Sequence, residues 1–145
     1  MTPDQLALIS RSAAAVAEQP RPFAEIFYGH LFTLAPEVRS LFPDNMEELF
    51  IKLVDELSFL GGAAGDLDSF VTRARDLGRR HHGYGVTVDH FGPVEEALLH
   101  ALEVRLTAGE ETAELWNPDQ RLAWQTLYRL IAEVMLDGAS AAMFS

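Results

Sequence analysis

The chain has 145 residues, 48% of them apolar, and carries 22 acidic against 11 basic side chains for a net charge of −11. That length gives one domain with a core of its own, and the acidity argues against nucleic acid and anionic membrane surfaces as partners. The absence of cysteine excludes disulfides, zinc thiolates, iron–sulfur clusters, cysteine nucleophiles and thioether-linked tetrapyrroles.

Proline, glycine and capping residues divide the chain into helices with few strand signals, so an all-α fold in one unit over 1–145 is predicted. Thr2 caps a first helix with Pro3 in its first turn, and Leu6, Ile9, Ala13 and Val16 share one face. Gln19-Pro20-Arg21-Pro22 interrupts it. A second helix points Phe23, Phe27, Leu31 and Leu34 inward, and Pro36 opens a short third helix ending near Phe42. Asp44 with Glu47 resembles an N-terminal capping arrangement. The helix that follows is expected to bury Met46, Phe50, Leu53, Leu57 and Leu60, and to stop at Gly61-Gly62-Ala63-Ala64-Gly65. Another helix runs from about Leu67 to His81. Asp89 is the expected cap of the next, with Phe91, Val94, Leu98, Ala101 and Leu102 inward. Thr107 to Trp116 reads as a polar loop. Asn117-Pro118 opens the last helix, with a stripe of Trp124, Leu127, Tyr128, Ile131, Val134 and Met135. The N-terminus lacks a signal-peptide pattern, and no apolar stretch reaches the roughly 18–20 residues of a membrane span. A cytoplasmic protein is the expectation.

One histidine stands out. Leu77, Ala74 and Phe70 precede His81 by four, seven and eleven residues, on a single helical face. His82 shares its face with Gly78, Arg75 and Val71, so it points toward water. An inward histidine at the end of an apolar stripe is either a hydrogen-bonded core residue or an axial ligand to an enclosed metal, and in an all-helical chain haem iron is the natural candidate. His30 reads as a local hydrogen-bonding residue, and His90 and His100 as surface positions. Arg73, Arg75, Arg79 and Arg80 form either a solvated helix face or a contact for an acidic group.

Three blocks carry a resemblance. Leu77-Gly78-Arg79-Arg80-His81-His82-Gly83-Tyr84-Gly85-Val86 is similar to the proximal-histidine region of globins, especially the bacterial single-domain globins and the globin part of flavohaemoglobins. Phe27-Tyr28-Gly29-His30-Leu31-Phe32 followed by Ala35-Pro36-Glu37-Val38-Arg39-Ser40-Leu41-Phe42 is a second block, and Trp124 with Tyr128 a third. They occur in the family's order and span most of the chain. The resemblance implies a globin fold, a three-on-three helical sandwich enclosing haem b.

It also implies roles. His81 would hold the iron. Phe42 would stack on the macrocycle, the alternative being an ordinary core aromatic. Leu77, Val86, Phe91, Val94 and Leu98 would line the pocket, and Arg80 and Lys52 would support the propionates. Tyr28 would be the distal donor to bound O2. Aligning Lys52-Leu53 with the family's Lys-Leu pair puts the distal helix position on Leu49, with Phe50 as the alternative and Leu53 over the ligand. Flavohaemoglobins polarise the proximal histidine through a glutamate and a tyrosine. Those positions read Ala139 and Phe91 here, while Tyr128 remains and Asp137 falls on another face. That departure points away from peroxidase-like chemistry. No flavin or NAD domain is expected beside the fold, so electrons are expected to come from elsewhere.

The function implied is reversible O2 binding, with CO and NO as further ligands. The alternatives are nitric oxide dioxygenation with an external reductase, gas or redox sensing, and a haem-free interaction module. A monomer or homodimer is expected.

Overall fold

A computed structural model describes residues 1–108 and 115–143, with side chains to 141. Its described residues form helices and no strands. In order these are α1 (Pro3–Glu18), α2 (Pro20–Leu34), a 3-10 helix (Pro36–Leu41), α3 (Glu47–Ala63), α4 (Leu67–Gly83), a 3-10 turn (Val88–His90), α5 (Phe91–Thr107) and α6 (Pro118–Met143). None is long and apolar enough to cross a membrane.

Local chemistry sets most boundaries. Thr2 and Gln5 form a reciprocal capping box at the start of α1. The break before α2 is a single residue, Gln19. Pro20 starts the new helix at once, because proline's fixed φ suits a first turn that needs no N–H. Asn117 Oδ1 accepts from the Gln120 amide at 2.9 Å, opening α6 as its position suggests.

Two expected caps differ. Asp44 does not cap α3; Asn45, two residues before Glu47, accepts from its amide at 3.0 Å, because a short amide side chain reaches two residues ahead. Asp89 does not cap α5; His90 Nδ1 accepts from the Thr87 amide at 3.0 Å, closing the preceding 3-10 turn. The segment Thr107–Trp116 lies mostly outside the described residues.

α3 ends inside the glycine-rich stretch as expected, at Ala63, so that Gly61 and Gly62 still belong to the helix. Gly61 is a contact point. A Cβ there would come 3.0 Å from Ile9 Cγ2, so the missing side chain lets α1 lie close across α3. The same device recurs more strongly between α4 and α6. A Cβ on Gly78 would sit 2.0 Å from the Met135 carbonyl oxygen, and one on Gly138 would sit 2.1 Å from that of Arg75. The two helices therefore run antiparallel with their backbones touching over one turn.

The core joins Ile9, Phe23, Phe27, Leu31, Leu60, Phe70, Leu98, Leu102, Trp124 and Leu127 among others. Leu34 is 40% exposed rather than inward, since it ends α2 where the chain turns into the 3-10 helix. Within α3 only Val54, Leu60 and Gly61 are fully buried, while Phe50, Leu53 and Leu57, and Met46 just before the helix, are half-buried. Two polar side chains enter the core as a network. Trp124 Nε1 donates to Ser12 Oγ at 2.7 Å, Ser12 donates toward the Leu8 carbonyl at 3.0 Å, and Gln120 Nε2 donates to that same carbonyl at 2.9 Å. Burial without partners would be costly, and no described buried side-chain nitrogen or oxygen lacks one.

Candidate functional site

Helix α4 presents its apolar stripe as the spacing predicts. Phe70 and Ala74 are buried, Leu77 and His81 half-buried, and His82 exposed. His81 Nδ1 lies 2.8 Å from the Leu77 carbonyl oxygen. A carbonyl can only accept, so Nδ1 carries the proton and Nε2 presents a lone pair. Burial pushes the imidazole pKa below its ordinary value, against smaller opposing effects of the Leu77 bond and the Glu56 charge. A neutral ring with a fixed tautomer results. The Tyr84 ring meets it edge-on with centroids 5.9 Å apart.

The chain leaves α4 through a tight turn. The amides of Tyr84 and Val86 both donate to the His81 carbonyl, at 3.0 and 3.1 Å. Gly85 adopts φ +95°, a left-handed conformation that glycine takes at little cost. A Cβ on it would lie 3.3 Å from Leu41 Cδ2. The turn after His81 is thus seated against the end of the 3-10 helix, one residue from Phe42.

Tyr28 is buried at 8% exposure within a group of aromatic rings. Its centroid lies 4.9 Å from Phe27, 6.0 Å from Phe32, 5.5 Å from Phe42 and 5.9 Å from Phe50. Burial pushes its phenol up to about 12, so it stays a neutral donor. Of the two candidates for the neighbouring α3 position, Phe50 packs on Tyr28 and on the core, while Leu49 is half-buried outside that cluster. Leu53 is half-buried against the core and Lys52 is exposed.

The remaining predicted residues divide. Leu77, Phe91 and Val94 are half-buried against the core, Leu98 is buried in it, and Val86 is half-buried outside the cluster. Tyr128 is buried, and its hydroxyl donates to the Phe91 carbonyl at 2.7 Å, which ties α6 to the start of α5. Asp137 pairs with Arg75 at 3.0 Å and is likewise engaged elsewhere. Each arginine of the cluster meets a carboxylate. Arg73 makes two 2.9 Å bonds to Glu56, while Arg79 and Arg80 share Asp76. Arg80 is therefore held by a carboxylate of its own helix, and a propionate would have to compete for it.

The family model described as Globin matches residues 25–135, which contain Tyr28, Phe42 and His81. The chain belongs to the globin family. It is 26% identical over 146 aligned positions to the neuroglobin of Dissostichus mawsoni, covering 90% of this chain and 87% of the relative. It is also 32% identical over 72 positions to an anaerobic nitrite reductase of Physcomitrium patens, covering 50% of this chain and 37% of the relative. Among solved structures, the bacterial globin of Campylobacter jejuni superposes with a TM-score of 0.81 at 18% identity, covering 99% of this chain and all of that one, a likeness of fold.

Some features of this globin's site region carry no sequence pattern. Gly78 and Gly138 seat α4 on α6 one turn before His81, yet each reads as an isolated helical glycine. Only their pairing across the fold explains them. His100, read as a surface residue, is half-buried and stacked on His30. His90, read likewise, is half-buried and closes a turn.

Proposed function

We propose that the chain acts as a single globin unit that holds haem b and binds O2 reversibly. The observation that carries this is the His81 tautomer. Its Nδ1–H donates to the Leu77 carbonyl at 2.8 Å, which leaves a neutral Nε2 lone pair that would hold a haem iron. The donor set fits haem: one neutral imidazole, no thiolate anywhere in the chain, and flanking apolar residues Leu77, Phe91, Val94 and Leu98 for the macrocycle, with Phe42 to stack on it. Haem supplies an iron with an open position for a diatomic gas.

The chain's own residues then set selectivity. Tyr28 stays protonated and is hemmed in by apolar rings, so its hydroxyl is available to donate to a ligand carrying negative charge. Dioxygen acquires such charge and carbon monoxide does not, so the donor favours retention of O2. Leu53, with Phe50 or Leu49, excludes water from the same space. Tyr128 and Asp137 bond elsewhere, so His81 donates as a carbonyl-supported imidazole without the carboxylate push of peroxidases. Lys52 and Arg80 are the cations for the propionates, and a cytoplasmic location suits the reading.

An absorption spectrum of the purified protein tests the cofactor. Soret and visible bands of haem b that change reversibly with O2 are expected, and a colourless protein that takes up no haem would overturn the proposal. Steady NADH-driven removal of NO with an added reductase would move the function to the nitric oxide dioxygenase alternative. A single stoichiometric reaction would not, since an oxyglobin gives that without turnover.

A further inference from the structure

Two imidazoles far from the α4 stripe come together between α2 and α5. The His30 and His100 rings are stacked, with centroids 4.0 Å apart and planes 20° apart. Both residues are half-buried. No hydrogen bond among the described residues engages either ring, and no described buried side-chain nitrogen is left without a partner, so the ring nitrogens are open to an incoming group.

We propose that His30 and His100 form a site for a borderline divalent transition-metal ion, Zn(II) being the test case, and that the ion clips α2 to α5. Imidazole nitrogen is a preferred donor for such ions. The frame is stiff: Phe27 and Leu31 beside His30, and Ala97 and Ala101 beside His100, are all buried in the packed core. Donors held on rigid helices lose little freedom on binding. Two nitrogens at roughly 2.0–2.1 Å from one ion lie about 3 Å apart. Rings stacked at 4.0 Å with planes 20° apart hold their in-plane lone pairs side by side, so both rings must turn about χ2 out of the stack for one ion to lie in both ring planes. Among the described residues no third His, Cys, Asp or Glu joins the pair. Water therefore completes the coordination, and the site is an open, exchangeable one rather than a closed structural centre. The net charge of −11 favours cations at the surface generally.

The pair owes nothing to haem, so its test stands or fails separately from the oxygen-binding proposal. The protein as purified is titrated with zinc chloride by calorimetry, and its thermal unfolding is followed at increasing zinc. One ion per chain and a melting temperature that climbs with zinc are expected, because the ion binds the folded pair. His30→Gln and His100→Gln should each weaken binding by about tenfold or more and abolish the thermal shift, while His82→Gln, at an exposed histidine elsewhere, should change neither. Affinities within about twofold of wild type in both variants, or loss of the ion in His82→Gln, would overturn the proposal. Should either variant fail to fold, the wild-type imidazole NMR resonances decide: His30 and His100 must shift together on adding zinc, and movement of neither refutes the site.

Discussion

Replacing Gly78 by alanine probes the contact that seats α4 on α6. The added Cβ would lie 2.0 Å from the Met135 carbonyl oxygen and 2.5 Å from two further backbone atoms. Neither partner is a flexible side chain, so the helices must part by roughly 1.4 Å to restore ordinary contact. Overpacking of this kind costs about 1–3 kcal/mol, set against about 1 kcal/mol gained from alanine's better helix propensity. Net destabilisation is expected, and Gly138→Ala should behave alike, its Cβ meeting the Arg75 carbonyl oxygen at 2.1 Å. One separation relieves both clashes, so the double variant should cost less than the sum of the singles. Gly62→Ala is the control. It lies within α3 with nothing inside 4 Å of the added atom, so it should stabilise by about 0.5–1 kcal/mol. Urea unfolding of the four variants reads these signs. Since His81 follows Gly78 by three residues, haem transfer to an apoglobin acceptor should also speed up in Gly78→Ala. If Gly78→Ala is as stable as Gly62→Ala, or if the double variant is strictly additive, the backbone contact is not what holds α4.

Four further outcomes are expected. His81→Ala should lose stable haem while exposed His82→Ala keeps it, as read by the Soret band; the reverse would shift the ligand by one residue. Tyr28→Phe keeps the packed ring but removes the hydroxyl, and O2 release should quicken roughly 10- to 150-fold for a lost bond of about 1.5–3 kcal/mol, with CO release little changed; equal small changes in stopped-flow replacement would show that the hydroxyl points away from the ligand. The Tyr28 phenol is raised from 10.0 to about 12 in the fold, so the unfolded chain ionises first. Its stability contribution is then complete below pH 10 and lost as pH rises through about 12, and O2 release should stay flat between pH 7 and 10, which release rates across that range check. Ser12→Ala strands the buried Trp124 indole N–H, which now donates at 2.7 Å, and should cost about 1–3 kcal/mol in urea unfolding; a neutral result would mean that water replaces the hydroxyl.

The sequence by itself determined most of the helices and the buried face of several of them. Helical periodicity is a local property, so the stripe through Phe70, Ala74, Leu77 and His81 and the outward register of His82 could be read from spacing alone. Thr2, Pro20, Pro36 and Asn117 mark boundaries because capping acts within a few residues of chain. Tyr28 and Phe42 could be singled out only by resemblance, since nothing local distinguishes them from other core aromatics. What the tertiary structure decided is everything that needs two distant segments to meet. Gly61 looks like a helix stop until Ile9 of α1 is found against it, and Gly78 and Gly138 have no meaning until each faces the other's helix. His100 reads as a surface residue until His30 stacks on it from α2. Tyr128 and Asp137 find their partners, Phe91 and Arg75, only because the packing of α6 brings those residues beside them. Hydrogen bonds and backbone contacts are short-range, so a partner remote in sequence leaves no periodic trace in either strand of residues that makes it.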